Sequence, residues 1–160
     1  MIRRAEKKDI GRLDDLLFQV QALHAQGRPD IFKQGRKKYT DEELEAILAD
    51  DGKPVFVYER EGRVLGYAFC VYQITEENSQ VYGRKTLYID DLCVDEGERG
   101  KQIGRELYRH VLKEAEENGC NSVTLNVWDI NPGAQKFYER MGMKPLKTMM
   151  ETVLDRQGHG

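Results

Sequence analysis

The sequence predicts an α+β domain, with a mixed, mainly antiparallel sheet of about seven strands flanked by about four helices. Three observations carry that expectation. Between residues 54 and 94, three strand-like runs follow one another with only a tight turn and one polar segment between them, the grammar of an antiparallel meander. The third run passes through a glycine turn into an amphipathic helix and then a further strand, as a right-handed crossover to a parallel neighbour requires. Apolar residues also recur at helical spacing in separate stretches before and after this region.

In chain order, residues 2–5 read as a short first strand. Asp9 is placed to cap a helix whose apolar positions are Leu13, Leu16, Leu17, Val20 and Leu23. His24, at that helix's end, reads as a surface histidine favoured by the dipole. Residues 26–39 are basic and aperiodic, a long loop. Thr40-Asp41-Glu42-Glu43 is a capping box for a second helix carrying Leu44, Ile47 and Leu48 and ending near Asp50-Asp51-Gly52. Residues 54–59 and 64–74 form a hairpin about Arg60-Glu61-Gly62-Arg63, and a central strand begins near Lys85. The next helix buries Ile103, Leu107, Val111, Leu112 and Ala115 and stops at Gly119. Residues 122–128 are a strand parallel to the central one. Asn131-Pro132 starts a last helix, with Ala134, Phe137, Tyr138 and Met141 along one side and Gly142 at its end. Residues 143–146 and 148–154 are two final strands. Residues 1–155 thus form one domain, and residues 156–160 a frayed tail.

Composition narrows the class. The 160 residues carry a net charge of −3 with 33% charged residues of both signs, a globular composition that argues against nucleic acid as the main partner. Cys70, Cys93 and Cys120 are odd in number and lack metal spacing, which reads as reduced structural thiols in a cytoplasmic protein. The mixed-charge start is no signal peptide, and the longest apolar run is far too short to cross a membrane.

The stretch that carries chemistry runs from Tyr88 to Leu107. A strand ends, a turn containing Gly97 and Gly100 follows, and a helix begins. The first N–H groups of a helix lack intrahelical partners and its dipole adds positive charge, so an anion there is bound by backbone alone. Arg99, Lys101 and Arg105 crowd the same turn.

Two motifs then stand together in the right order. Arg99-Gly100-Lys101-Gln102-Ile103-Gly104 resembles the acyl-CoA pyrophosphate loop of the GNAT superfamily of N-acetyltransferases. Asn131-Pro132-Gly133-Ala134-Gln135-Lys136-Phe137-Tyr138-Glu139-Arg140-Met141-Gly142-Met143 is similar to that family's more specific second signature. Gln102 departs from the pattern, standing where the loop's first glycine usually lies, which implies a weaker hold on the cofactor. The resemblance implies acetyl-CoA as cosubstrate and no metal. Backbone groups of Leu92, Cys93 and Val94 would hold the pantetheine arm and thioester oxygen, and residues Arg99, Gly100, Lys101, Gln102, Ile103 and Gly104 the pyrophosphate. Asn131 would contact the cofactor arm while also serving as a helix cap, and Tyr138 would protonate the leaving thiolate.

Transfer to an amine needs a neutral nucleophile, a stabilised oxyanion and a proton for the thiolate. An alkylammonium has a pKa near 10, so roughly one amine in a thousand is reactive at neutral pH without a base. Asp90 and Asp91 are unusual in a buried strand, and burial raises a carboxylate toward a useful range. Strand alternation separates the pair across the sheet unless a bulge intervenes. Tyr88-Ile89-Asp90-Asp91-Leu92-Cys93-Val94 is similar to a stretch of the spermidine/spermine acetyltransferases, with Asp90 at the position of their proposed base and one methylene shorter. A water relay is the implied route. The expected acceptor is a small amine such as a polyamine, with Glu76, Glu77, Asp90, Asp91 and Asp129 as a negative lining. A protein or peptide amine is the alternative, and a non-catalytic acyl-CoA sensor the rival from another class. Trp128 reads as packing. No membrane partner is expected, and the resemblance allows a homodimer.

Overall fold

A computed structural model describes residues 1–155. The sheet has five strands in sequential order: β1 (Ile2–Arg4), β2 (Val55–Arg60), β3 (Arg63–Thr75), β4 (Arg84–Val94) and β5 (Ser122–Leu125). The first three pairings are antiparallel and β4 to β5 is parallel. Four helices accompany them: α1 (Ile10–Gly27), α2 (Asp41–Leu48), α3 (Ile103–Glu117) and α4 (Pro132–Arg140). The mixed α+β class is as the sequence predicts. The chain divides into two compact units, Met1–Ile130, which holds the sheet and α1 to α3, and a second that begins at Asn131 and holds α4.

The strand number differs from the expected seven because residues 143–155 form no regular structure. Pro145 removes a ladder donor from the first expected strand, and a short run without a paired neighbour does not hold itself extended. Leu146, Met149, Met150, Val153 and Leu154 are exposed. The tail expected over residues 156–160 lies outside the described residues.

One face of the sheet is covered by α1 and α2, whose Leu13, Leu16, Leu17 and Leu44 pack with Val55, Val57, Tyr67 and Phe69. The other meets α3. Gly66 shows how closely, since a Cβ there would lie 3.1 Å from Leu107 and 3.3 Å from Ile103. The hairpin turn Glu61-Gly62 has positive φ at both residues, 51° and 77°, the two-residue turn whose twist suits antiparallel strands.

Helix α1 corrects two expectations. Its buried stripe runs through Leu13, Leu17 and, at 3.6 residues per turn, on to position 24 rather than 23. Leu23 is accordingly exposed and His24 half-buried. Asp9 precedes α1, yet its side chain does not cap that helix. It accepts from the Glu6 N–H at 2.8 Å and takes the Arg3 guanidinium through both oxygens at 2.8 and 2.9 Å. The box at Thr40 and Glu43 forms as expected.

Candidate active site

The centre of the site is an irregularity in β4. Its register against β3 pairs Phe69 with Asp91 and Cys70 with Ile89, leaving Asp90 as the extra residue of a bulge. The bulge interrupts the alternation that would send neighbouring side chains to opposite faces. Tyr67 donates to Asp91 Oδ2 at 2.7 Å, and Tyr39 donates to Asp90 Oδ2. Both tyrosine rings pack on Phe69, at 5.5 Å from Tyr39 and 4.9 Å from Tyr67. Asp90 and Asp91 therefore both stand on the α1/α2 face, and the bulge brings together what strict alternation separates.

Burial pushes the Asp91 carboxyl up to about 6, with the Tyr67 hydrogen bond opposing that rise. The hydroxyls of Tyr39 and Tyr67 are raised first by burial and further by the neighbouring carboxylates, so both remain protonated donors. Burial also pushes Cys70 and Cys93 up to about 12, which keeps them thiols rather than nucleophiles. Lys38 adds a cation, its Nζ 3.0 Å from Asp90 Oδ2. Tyr39, Ile47, Lys53, Phe69, Cys70 and Val71 line a cavity of about 130 Å³ together with Asp90.

Lys38, Tyr39 and Tyr67 carried no local signal of a role. Only the β3–β4 register places Tyr67 across from Cys93 and beside Asp91, and only the α1–α2 connection brings Lys38 and Tyr39 to Asp90. Glu76 and Glu77 do not join the acidic group. They follow Thr75, which pairs with Arg84 at the start of β4, about six residues or roughly 20 Å of strand from Asp90.

Beyond the bulge, β4 leaves its parallel neighbour. Pairing with β5 ends at Ile89 and Leu125, while β4 continues to Val94. Leu92, Cys93 and Val94 thus have a strand partner on the β3 side alone. At the strand's end, Asp95 accepts from the Gly97 N–H at 3.2 Å and from Arg12, whose Nε donates to the Val64 carbonyl at 2.8 Å. This clamp fixes where the following loop begins.

The loop itself turns through two left-handed residues, Gly100 at φ +84° and Gln102 at φ +65°. The second value explains why a glycine usually stands at Gln102, since an L-residue there costs about 1–2 kcal/mol. No side chain caps α3. Its first N–H groups, from Ile103 onward, are left for a ligand. Lys101 pairs with Glu98 at 2.9 Å, while Arg99 is exposed. An uncapped helix start, a loop that bends through positive φ and a half-paired strand edge fit a pyrophosphate and an amide-bearing arm.

On the far side of the α1–α2 connection, Phe32 packs edge-on against Trp128 at 5.0 Å and His24 lies 4.8 Å from Phe32. Trp128 thus has an aromatic neighbour while remaining 42% exposed. Burial, then Lys38, holds His24 below the usual imidazole range, which corrects its reading as a dipole-favoured surface group. In the second unit, the Asn131 side chain accepts from the Ala134 N–H at 3.2 Å, and the Tyr138 ring packs on Phe137. Among the described residues, no group of three or more His, Cys, Asp and Glu side chains is placed to hold a metal ion. No described helix is long and apolar enough to cross a membrane.

Comparison with known proteins places these features among relatives. A model of the acetyltransferase (GNAT) family matches residues 19–143. An uncharacterised N-acetyltransferase, MJ1207 of Methanocaldococcus jannaschii, is 27% identical over 143 residues, which are 89% of this chain and 60% of that one. The chain therefore spans less than two thirds of that relative's length. The thialysine N-epsilon-acetyltransferase of Bos taurus is 25% identical over 156 residues, covering 91% of this chain and 85% of its own. Among solved structures, a mutant of the BH1408 protein from Bacillus halodurans superposes with a TM-score of 0.93 at 30% identity, covering 96% of this chain and 99% of that one.

Proposed function

The chain belongs to the acetyltransferase (GNAT) family, and from that premise we propose that it transfers an acetyl group from acetyl-CoA to a primary amine on an alkyl chain by direct attack. The observation that carries this reading is the β4 bulge, which sets two carboxylates on one face immediately before the strand edge that β5 leaves free. Acetyl-CoA supplies a thioester activated toward amines. The residues of this chain do the rest. The Ile103 and Gly104 N–H groups and the Arg99 side chain hold the pyrophosphate, with Gly100, Lys101 and Gln102 shaping the loop. Backbone groups of Leu92, Cys93 and Val94 orient the arm and stabilise the developing oxyanion.

Asp90, directly or through a water, takes the proton that the acceptor ammonium must lose, and Asp91 stands beside it as a second carboxyl that burial pushes up to about 6. The motif match supports Tyr138 as the acid that returns a proton to the thiolate and Asn131 as a contact to the cofactor arm. The family match runs through both compact units, which supports reading them as one domain.

An alkyl amine is favoured as acceptor because Asp90 already receives the ammonium of Lys38. The thialysine enzyme, named for an epsilon nitrogen, and the polyamine-enzyme likeness of residues 88–94 point the same way. Three free thiols support a reducing, cytoplasmic setting.

The test is acetyl-CoA turnover over polyamines, thialysine, aminoglycosides and N-terminal peptides, read by product mass because native thiols cloud a free-thiol assay. Acetylation of an alkyl amine, slowed about 100-fold or more by Tyr138→Phe and by Asp90→Asn, is the expected result. Binding of acetyl-CoA with no amine turned over would favour a sensor instead.

A further inference from the structure

Two adjacent lysines of the α1–α2 connection are held in different ways. Lys37 is clamped between Asp14, at 2.5 Å, and Asp41, and its side chain is 19% exposed. Lys38 has one carboxylate, Asp90, at 3.0 Å, a longer approach of 3.4 Å to the Asp90 carbonyl oxygen, and a side chain 43% exposed. Its ammonium also lies 5.6 Å from the centre of the Tyr39 ring. The charged and titratable groups around it are Asp90, Asp91, Tyr39 and His24. A primary amine on a four-carbon stem thus rests on the carboxylate assigned above to deprotonating the acceptor. It rests two residues from the strand edge assigned to the thioester.

We infer that Lys38 stands in the acceptor-amine position and is itself acetylated there, in cis, by its own site. The inference rests on the acetyltransferase reading and names a modification site within it. The Lys38 ammonium gives one proton to Asp90 and thence to solvent. Its nitrogen lone pair then forms the C–N bond to the acetyl carbon as the C–S bond breaks. A second nitrogen proton passes to the departing thiolate, and the third stays on the amide. One ammonium and one acetyl thioester thus give one acetamide, one thiol and one released proton. The product is neutral, so the ion pair that holds the connection to Asp90 is lost, and Asp90 is left free for an external amine.

The experiment incubates the full chain with acetyl-CoA and follows every lysine by peptide mass. Acetyl-CoA binding is measured by calorimetry and amine turnover on the panel above in parallel. Proximity predicts that Lys38 gains 42-dalton adducts at least about tenfold faster than the surface lysines Lys33 and Lys113. The rate should not depend on protein concentration and should be lost in Asp90→Asn. With acetyl-CoA absent, Lys38→Gln should bind spermidine or thialysine more tightly than the parent chain, since the internal occupant is gone. Acetyl-CoA bound and amines turned over with Lys38 modified no faster than Lys33 overturns this inference alone. A Lys38 rate rising with protein concentration overturns the assignment in cis. Failure to bind acetyl-CoA overturns the acetyltransferase reading and this inference together.

Discussion

Asp91 serves two opposed ends, since the burial that raises its carboxyl to about 6 makes the ionised form costly. Between the unfolded value near 4 and the folded value near 6, the folded chain holds a proton that the unfolded chain has released. Stability therefore falls as pH rises through that window. Asp91→Asn keeps an acceptor for Tyr67 and removes the penalty. It is expected to raise unfolding stability by about 3 kcal/mol at pH 7, with the gain vanishing below about pH 4, as read by urea titration. The same variant should lose the acid limb near pH 6 of the rate profile. Gln102 stores strain of another kind, in its φ of +65°. Gln102→Gly should relieve about 1 kcal/mol and tighten CoA binding several-fold by calorimetry, because the glycine adopts the left-handed turn without a Cβ clash.

At the scale of elements, β4 works because it is imperfect. A bulge gathers Asp90 and Asp91 on one face, and the early end of β5 leaves residues 92–94 with one paired edge. The strand is held in that shape by close packing on its other side. At Gly66, a Cβ would lie 2.9 Å from the Cys93 carbonyl oxygen as well as against Ile103 and Leu107. Gly66→Ala is expected to push α3 away from the sheet, to cost about 1–3 kcal/mol in thermal unfolding, and to weaken CoA binding, since the start of α3 is the proposed pyrophosphate site. Weakened stability with CoA affinity untouched would separate that packing from the site.

Across the molecule, Arg3 ties β1 to Asp9 before α1 and to Glu59 of β2, at 3.0 Å to the latter. The Arg3 hydrogen bonds hold the buried Asp9 carboxyl below its ordinary value. Its contribution is fully present above about pH 4 and is lost as pH falls through the folded value. Asp9→Asn should therefore lower stability by about 3 kcal/mol at pH 7, with the loss shrinking as pH falls from about 4 through the depressed folded value, measured as the shift in urea midpoint. Such long-range ties were not legible in the sequence, where Asp9 read as a helix cap, nor was the burial of His24. The meander, the hairpin turn at Glu61-Gly62, the capping box at Thr40 and the starts of α3 and α4 were legible, because each depends on residues within a few positions of one another. Local chemistry thus determined the fold class and the family. The tertiary structure alone decided that Asp90 and Asp91 share a face, that Tyr39 and Tyr67 hold them, that Lys38 occupies Asp90 and that residues 143–155 add no strand. Register, bulges and burial are set by partners far along the chain, and spacing in one segment carries no record of them.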